Sequence, residues 1–214
     1  MQFQALREFW DPTFKLSDFA GLESWTNQPE LRKYLWDAFH PVLPVLKKVL
    51  DETYPGTKLA INEYDTGSRD YYHGALLRAT ALGIFAQEDV FMAQNWYTMD
   101  KNSFTFFAHK MFGNFDGKGG HFEGDFVKTT SSNKDILTFA ADSGSKTYVV
   151  VINKNQKTPA NVTIKLPKAA KTVQTYTLAE SLALRLMPSD PKPVSGQDAT
   201  VWMPAFSAEV VVIQ

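Results

Sequence analysis

The spacing of apolar residues changes near residue 115, and this change constrains the fold more than any other feature of the chain. Upstream, apolar residues recur at helical intervals between short apolar runs. Downstream, they come in short β-type runs separated by turn residues, so one layered architecture does not suit both halves.

In the first half, Asn27-Gln28-Pro29-Glu30 reads as a helix start, with proline at the first helical position and a carboxylate in the first turn. Leu31, Tyr34, Leu35 and Ala38 follow at helical spacing. Pro41 and Pro44 interrupt and restart the pattern, and Val42, Val45, Leu46, Val49 and Leu50 carry an apolar stripe to Pro55-Gly56. Lys58-Leu59-Ala60-Ile61 reads as a buried strand of a parallel sheet. The pattern predicts a second helix over 70–87, with Leu76, Leu77, Thr80, Ala81 and Ile84 on one face, and a second strand at Val90-Phe91-Met92-Ala93. A third helix is predicted from Phe104 to Met111. Alternating helices and strands imply parallel strands with crossover helices.

After Asn114, the glycines 117, 119, 120 and 124 make a turn-rich link. Ile136–Ala140, Tyr148–Ile152, Val162–Leu166, Val173–Tyr176 and Ala208–Ile213 then read as strands, and Pro159, Pro167 and Asp142-Ser143-Gly144 read as turns between them. Several short strands with regular punctuation predict an antiparallel β-sandwich. The expected fold class is thus α/β plus β, with residues 1–114 and 115–214 as its two domains.

Composition excludes several functions. Cysteine is absent, which removes disulfides, thiolate metal sites and cysteine catalysis. The formal net charge of -1 offers no basic excess for a nucleic-acid partner. No apolar run approaches the ~20 residues of a membrane span, and Met1 to Arg7 carry no signal-peptide pattern. The histidines at 40, 73, 109 and 121 are too scattered for a zinc site, and Asp116-Gly117-Lys118-Gly119-Gly120 lacks the acidic spacing of a calcium loop, so no metal site is expected.

In parallel α/β folds, reactive residues gather at the C-terminal ends of strands. The first strand runs into Asn62-Glu63-Tyr64, and the second ends in Asn95-Trp96-Tyr97. A carboxylate beside an aromatic platform suits a sugar, whose apolar face stacks on indole while the anion attacks or stabilises an oxocarbenium-like centre. From the residues alone, Glu63 equally fits a solvated loop carboxylate and Trp96 a core residue. His73 follows Glu63 on the connecting segment and fits either the site or a structural hydrogen bond.

The segment from Tyr54 to Tyr64 resembles glycoside hydrolase family 44, a family of endoglucanases and xyloglucanases. The likeness continues through His73-Gly74, Ala81–Phe85 and Gln94-Asn95-Trp96, and upstream through Phe9-Trp10-Asp11-Pro12-Thr13-Phe14. Asn114–Gly119 and Ile152–Asn155 resemble the family's link and β-domain. The resemblance implies a (β/α)8 barrel with an appended β-sandwich, joined in the family by an N-terminal segment, and retaining hydrolysis of β-1,4-glucans by two glutamates without a cofactor. It maps the nucleophile onto Glu63 and substrate-binding positions onto Trp96, Tyr64, Trp10 and Asp11, and Tyr97 and His73 are taken as further substrate-binding candidates. Asn62 stands where the family has threonine. An Asn-Glu pair marks the acid/base in related barrels, but Tyr64 and a tryptophan one βα unit later point to the nucleophile. A full barrel needs about 250 residues, so the early strands and the acid/base glutamate are expected outside this chain. The implied partner is a β-glucan polysaccharide or oligosaccharide, and the implied setting is extracellular. A non-catalytic carbohydrate-binding protein and one half of a split barrel are the alternatives.

Overall fold

The computed structural model describes residues 2–19, 29–68, 71–182 and 185–214. They form two compact units, one of residues 1–65 with 84–96, the other of residues 66–83 with 97–214.

The first unit opens with α1 (Gln2–Ala5), a 3-10 turn at Leu6–Phe9 and another at Leu16–Phe19. Next come α2 (Pro29–Phe39) and α3 (Val42–Thr53). Pro29 begins α2 as expected, while Asn27 and Gln28 lie outside the described residues. The prolines divide the helices as predicted. Pro41 is the extended N-cap of α3, and Pro44 lies in its first turn, where a missing N–H leaves no hydrogen bond unmade. The apolar stripes fare differently. Leu31, Tyr34, Leu35 and Phe39 of α2 and Val49 of α3 are exposed, and Leu43 rather than the predicted stripe is the buried residue of α3.

The strands β1 (Ala60–Tyr64) and β2 (Met92–Asn95) pair in parallel. Each begins two residues later than its apolar run. The ladder is held by backbone groups, so it extends into polar residues wherever a partner strand continues. The expectation of a buried strand is corrected for the same reason. In a sheet of two strands, Phe91 and Met92 remain exposed, and Tyr64 is the buried residue of β1.

Helix α4 (Tyr72–Gln87) belongs to the second unit up to Gly83 and to the first from Ile84. Asp70, its predicted start, lies outside the described residues. From Gly74 to Ala81 it is buried on every side, not only on the one face that the spacing predicts, and even Arg78 and Thr80 are enclosed. In the second unit α5 (Phe104–Gly113) starts at Ser103, whose hydroxyl accepts a hydrogen bond from the Phe106 amide. The glycine-rich link after it is a turn, as expected. Asp116 Oδ1 accepts from the amides of Lys118 and Gly120.

The rest of the second unit is an antiparallel sheet of seven strands: β3 (Asp125–Val127), β4 (Ile136–Asp142), β5 (Thr147–Asn153), β6 (Ala160–Ala179), β7 (Met187–Pro188), β8 (Lys192–Met203) and β9 (Ser207–Ile213). Their order is β3-β4-β5-β9-β6-β7, with β8 also on β6. The two runs predicted at Val162–Leu166 and Val173–Tyr176 are one strand, and Pro167 does not break it. The proline lies where the β6–β8 register slips, between Lys165 and Ala170, so its missing N–H removes no ladder bond. Val149 and Val151 of β5, Val211 and Ile213 of β9 and Val201 and Met203 of β8 share one apolar core, with Val162, Ile164 and Leu166 packed against it. The opposite face meets α4. The Tyr72 hydroxyl donates to the Leu178 carbonyl at 2.8 Å, and a Cβ on Gly83 would lie 2.3 Å from the Phe139 ring.

Candidate active site

The β1–β2 ladder builds the site in the first unit. Ile61 faces Ala93 and Tyr64 faces Asn95, so β1 takes three steps where β2 takes two. The extra residue is a β-bulge, a device that redirects a side chain. Glu63 lies in it with φ +60, in the left-handed region that side chains larger than glycine seldom occupy. Such backbone strain costs about 1–3 kcal/mol and clusters at functional sites. The Glu63 side chain is exposed.

Tyr64 fixes the bulge from below. Its ring is 9% exposed and meets Phe85 edge-on, with centroids 5.1 Å apart. Its carbonyl accepts a hydrogen bond from the Trp96 amide at 3.0 Å, which ties the ends of the two strands together. Trp96 leaves β2 there with its indole 55% exposed. The ladder thus brings an outward carboxylate and an outward indole to neighbouring strand ends, while the tyrosine between them anchors the backbone.

Trp10 and Asp11 lie in a turn closed by the Asp11 amide on the Arg7 carbonyl at 2.8 Å. Asp11 is buried, and burial alone would raise its pKa. The hydroxyl and amide of Thr13 and the Arg7 guanidinium outweigh that and hold the carboxyl below its usual range. Oδ1 accepts from Thr13 at 2.7 Å and 2.9 Å, and Oδ2 from Arg7 Nε at 2.7 Å. Asp11 therefore shapes its loop, and Trp10 beside it is half-buried.

His73 and Tyr97 belong to the second unit. The His73 ring lies 5.8 Å from that of Phe206, and burial lowers its pKa, favouring neutral imidazole. The Tyr97 hydroxyl lies 3.4 Å from Nη2 of Arg78, whose guanidinium also stands 5.8 Å from the Tyr97 ring. Sequence reasoning missed both the bulge and Arg78. A glycine would have signalled the left-handed position, but glutamate occupies it. Arg78 interrupts an otherwise apolar helix, and that interruption was the available sign. Among the described residues, no group of acidic, histidine or cysteine side chains is placed to hold a metal ion.

No family model matches the sequence. Two curated proteins do. A β-mannanase/endoglucanase A from Caldicellulosiruptor saccharolyticus is 33% identical over 187 residues, covering 84% of this chain and 13% of that protein. An endoglucanase A from Paenibacillus lautus is 31% identical over 167 residues, covering 76% of this chain and 22% of its own length. Among solved structures, a family 44 endoglucanase from Clostridium thermocellum matches all of this chain with a TM-score of 0.83 and 30% identity. This chain is similar to the family 44 glycoside hydrolases. The resemblance read from the Tyr54–Tyr64 segment is borne out. A family 44 xyloglucanase from Paenibacillus polymyxa, solved with xyloglucan, also covers all of it, at a TM-score of 0.82 and 26% identity. This chain spans 40% of the endoglucanase and 41% of the xyloglucanase.

Proposed function

We propose that the protein carrying this chain is a retaining endo-β-1,4-glucanase or xyloglucanase of the family 44 type, acting outside the cell on plant glucans, with Glu63 as its nucleophile. The observation that carries the reading is Glu63 itself: an exposed carboxylate on a strained bulge, at a parallel strand end beside an exposed indole. A solvated loop carboxylate has no reason to occupy a left-handed position inside a strand. The carboxylate attacks the anomeric carbon as the glycosidic C–O bond breaks, and a second glutamate protonates the departing oxygen. That second residue then takes a proton from water, whose attack releases Glu63 and restores the original configuration. Retention requires the two carboxyl groups to stand about 5–5.5 Å apart. We assign the acid/base to the part of the family fold that this chain does not span.

Trp96 and Trp10 are assigned to stacking on the sugar rings, and Tyr97 and His73 are kept as substrate-binding candidates on the strength of the family resemblance. Tyr64 and Asp11 serve substrate binding by holding the loops that carry the indoles. In this reading, residues 1–114 are the closing part of a (β/α)8 barrel and residues 115–214 a β-sandwich. The parallel β1–β2 pair supports the first assignment. The apolar core shared by β5, β8 and β9 supports the second. The test is to trap the glycosyl–enzyme. A 2-fluoro cello-oligosaccharyl fluoride forms the ester readily but hydrolyses it slowly, and peptide mapping of the inactivated full-length protein should find the sugar on Glu63. Inactivation with the label on another carboxylate would reject the assignment.

A further inference from the structure

The β6–β8 ladder has an inner and an outer face, because side chains alternate along each strand. Val162, Ile164, Val201 and Met203 turn inward to the core. The residues between them form three outward cross-strand pairs: Asn161 with Trp202, Thr163 with Thr200, and Lys165 with Asp198. All six are exposed, and the register over this stretch is regular. Trp202 is 60% exposed, and among the described residues its indole makes no ring contact and no hydrogen bond. A large apolar ring held on a ladder of regular register, open to solvent and framed by polar groups, offers a flat stacking surface with a polar edge.

The frame says what covers it. The Thr163 and Thr200 hydroxyls are 3.0 Å apart and offer a paired donor and acceptor beside the ring. Lys165 and Asp198 balance each other, so the face attracts neither anion nor cation. A dry protein interface gathers several apolar residues and is poor in lysine and aspartate. A nucleic acid needs a basic surface. A neutral pyranose chain needs an indole for its apolar face, hydroxyls and amides for its rim, and no net charge. From Asn161 to Lys165 the pairs extend over roughly 13 Å, which suits an extended oligosaccharide rather than one sugar.

We propose that the outer face of this ladder, centred on Trp202, is a surface-binding site for a neutral β-linked glucan chain, using residues other than those around Glu63. The choice of a β-glucan rests on the function proposed above. The site holds polymer while cleavage occurs at Glu63, which raises the local substrate concentration on long chains.

The test is affinity electrophoresis of the 214-residue chain in native gels containing xyloglucan or mixed-linkage β-glucan, with dextran as the control. β-Glucans should retard the wild type and dextran should not. Trp202→Ala should weaken binding at least about fivefold, the order of one lost aromatic contact, and Trp202→Tyr should keep part of it. Thr200→Arg leaves the indole in place but crowds the middle pair, and should also weaken binding. That variant keeps the test decisive if Trp202→Ala fails to fold. Equal retardation of wild type and both disruptive variants would overturn the proposal, as would no retardation of the wild type by any β-glucan. Neither result touches the function assigned to Glu63, which is read separately from the trapped glycosyl–enzyme.

Discussion

Glu209 stands in the middle of the antiparallel sheet, facing Val151 on one side and Thr177 on the other, and is 1% exposed. Oε1 accepts a hydrogen bond from the Thr177 hydroxyl at 2.8 Å, while Oε2 has no hydrogen-bond partner among the described residues. Burial raises its pKa from 4.5 to about 7; the Thr177 hydroxyl and the Lys192 charge pull the other way without prevailing. Between those values the folded chain binds a proton that the unfolded chain releases, so stability falls as pH rises. The contribution is fully present below about 4.5 and lost above about 7. This displacement corresponds to about 3 kcal/mol. For a chain of 214 residues that is a midpoint change of roughly 6–12 °C. Glu209→Gln removes the titration while keeping an acceptor for Thr177. Thermal unfolding followed by circular dichroism from pH 5 to pH 8 should show the wild type losing most of that amount relative to the variant. Groups common to both proteins cancel in the difference. Parallel pH profiles for the two proteins would refute the reasoning.

Two further outcomes test the packing. Gly83→Ala drives a methyl into Phe139, which stands 2.3 Å from the ideal Cβ position; overpacking costs about 1–3 kcal/mol, against roughly 1 kcal/mol gained by alanine in a helix. The variant should melt below the wild type and recover in part with Phe139→Leu, whereas a higher midpoint would mean that α4 does not press on β4. In hydrogen exchange, Tyr148–Ile152 lies between β4 and β9 and should exchange slowly, while Leu59–Ile61, paired only with β2, should exchange fast. Equal, strong protection of both segments would show that the two-stranded sheet is a stable unit in itself.

Much of the antiparallel half was legible because its buried strands β4, β5 and β9 are apolar and lie between turn residues. Strand β8 was not, because half of it faces water: Ser195, Gln197, Asp198 and Thr200 carry no apolar signal, and Pro193 and Gly196 read as breaks. Pro167 misled in the same direction, since a proline at a register slip looks in sequence like a turn. The stripes on α2 and α3 were legible as helices but not as exposed surface, because periodicity reports an apolar face without saying whether anything covers it. At the candidate site, the order of strand, carboxylate, helix, strand and tryptophan singled out Glu63 and Trp96 as candidates, and the structure places both exposed at the ends of paired strands. The bulge that re-aims Glu63 left no trace in the sequence, because backbone strain is imposed by the ladder and not encoded by residue type. The buried ring of Tyr64 was equally invisible, since it depends on Phe85, distant from the motif; the partners that saturate the Asp11 carboxylate, Arg7 and Thr13, are local, and sequence reasoning passed over them.

The central claim, that Glu63 is the nucleophile of a retaining glucanase, is tested most directly by the stereochemistry of rescue. Glu63→Gln in the full-length protein removes the attacking oxygen without a cavity, and the expected fall in kcat on an activated aryl cello-oligosaccharide is about 100-fold or more. Glu63→Ala opens space for a small anion, and azide should then restore turnover by attacking the anomeric carbon from the side that the carboxylate occupied. With no second displacement, the product should be the glycosyl azide of inverted configuration, readable from its anomeric proton signal. A retained glycosyl azide would make Glu63 the acid/base, and normal turnover by Glu63→Gln would remove it from the chemistry altogether.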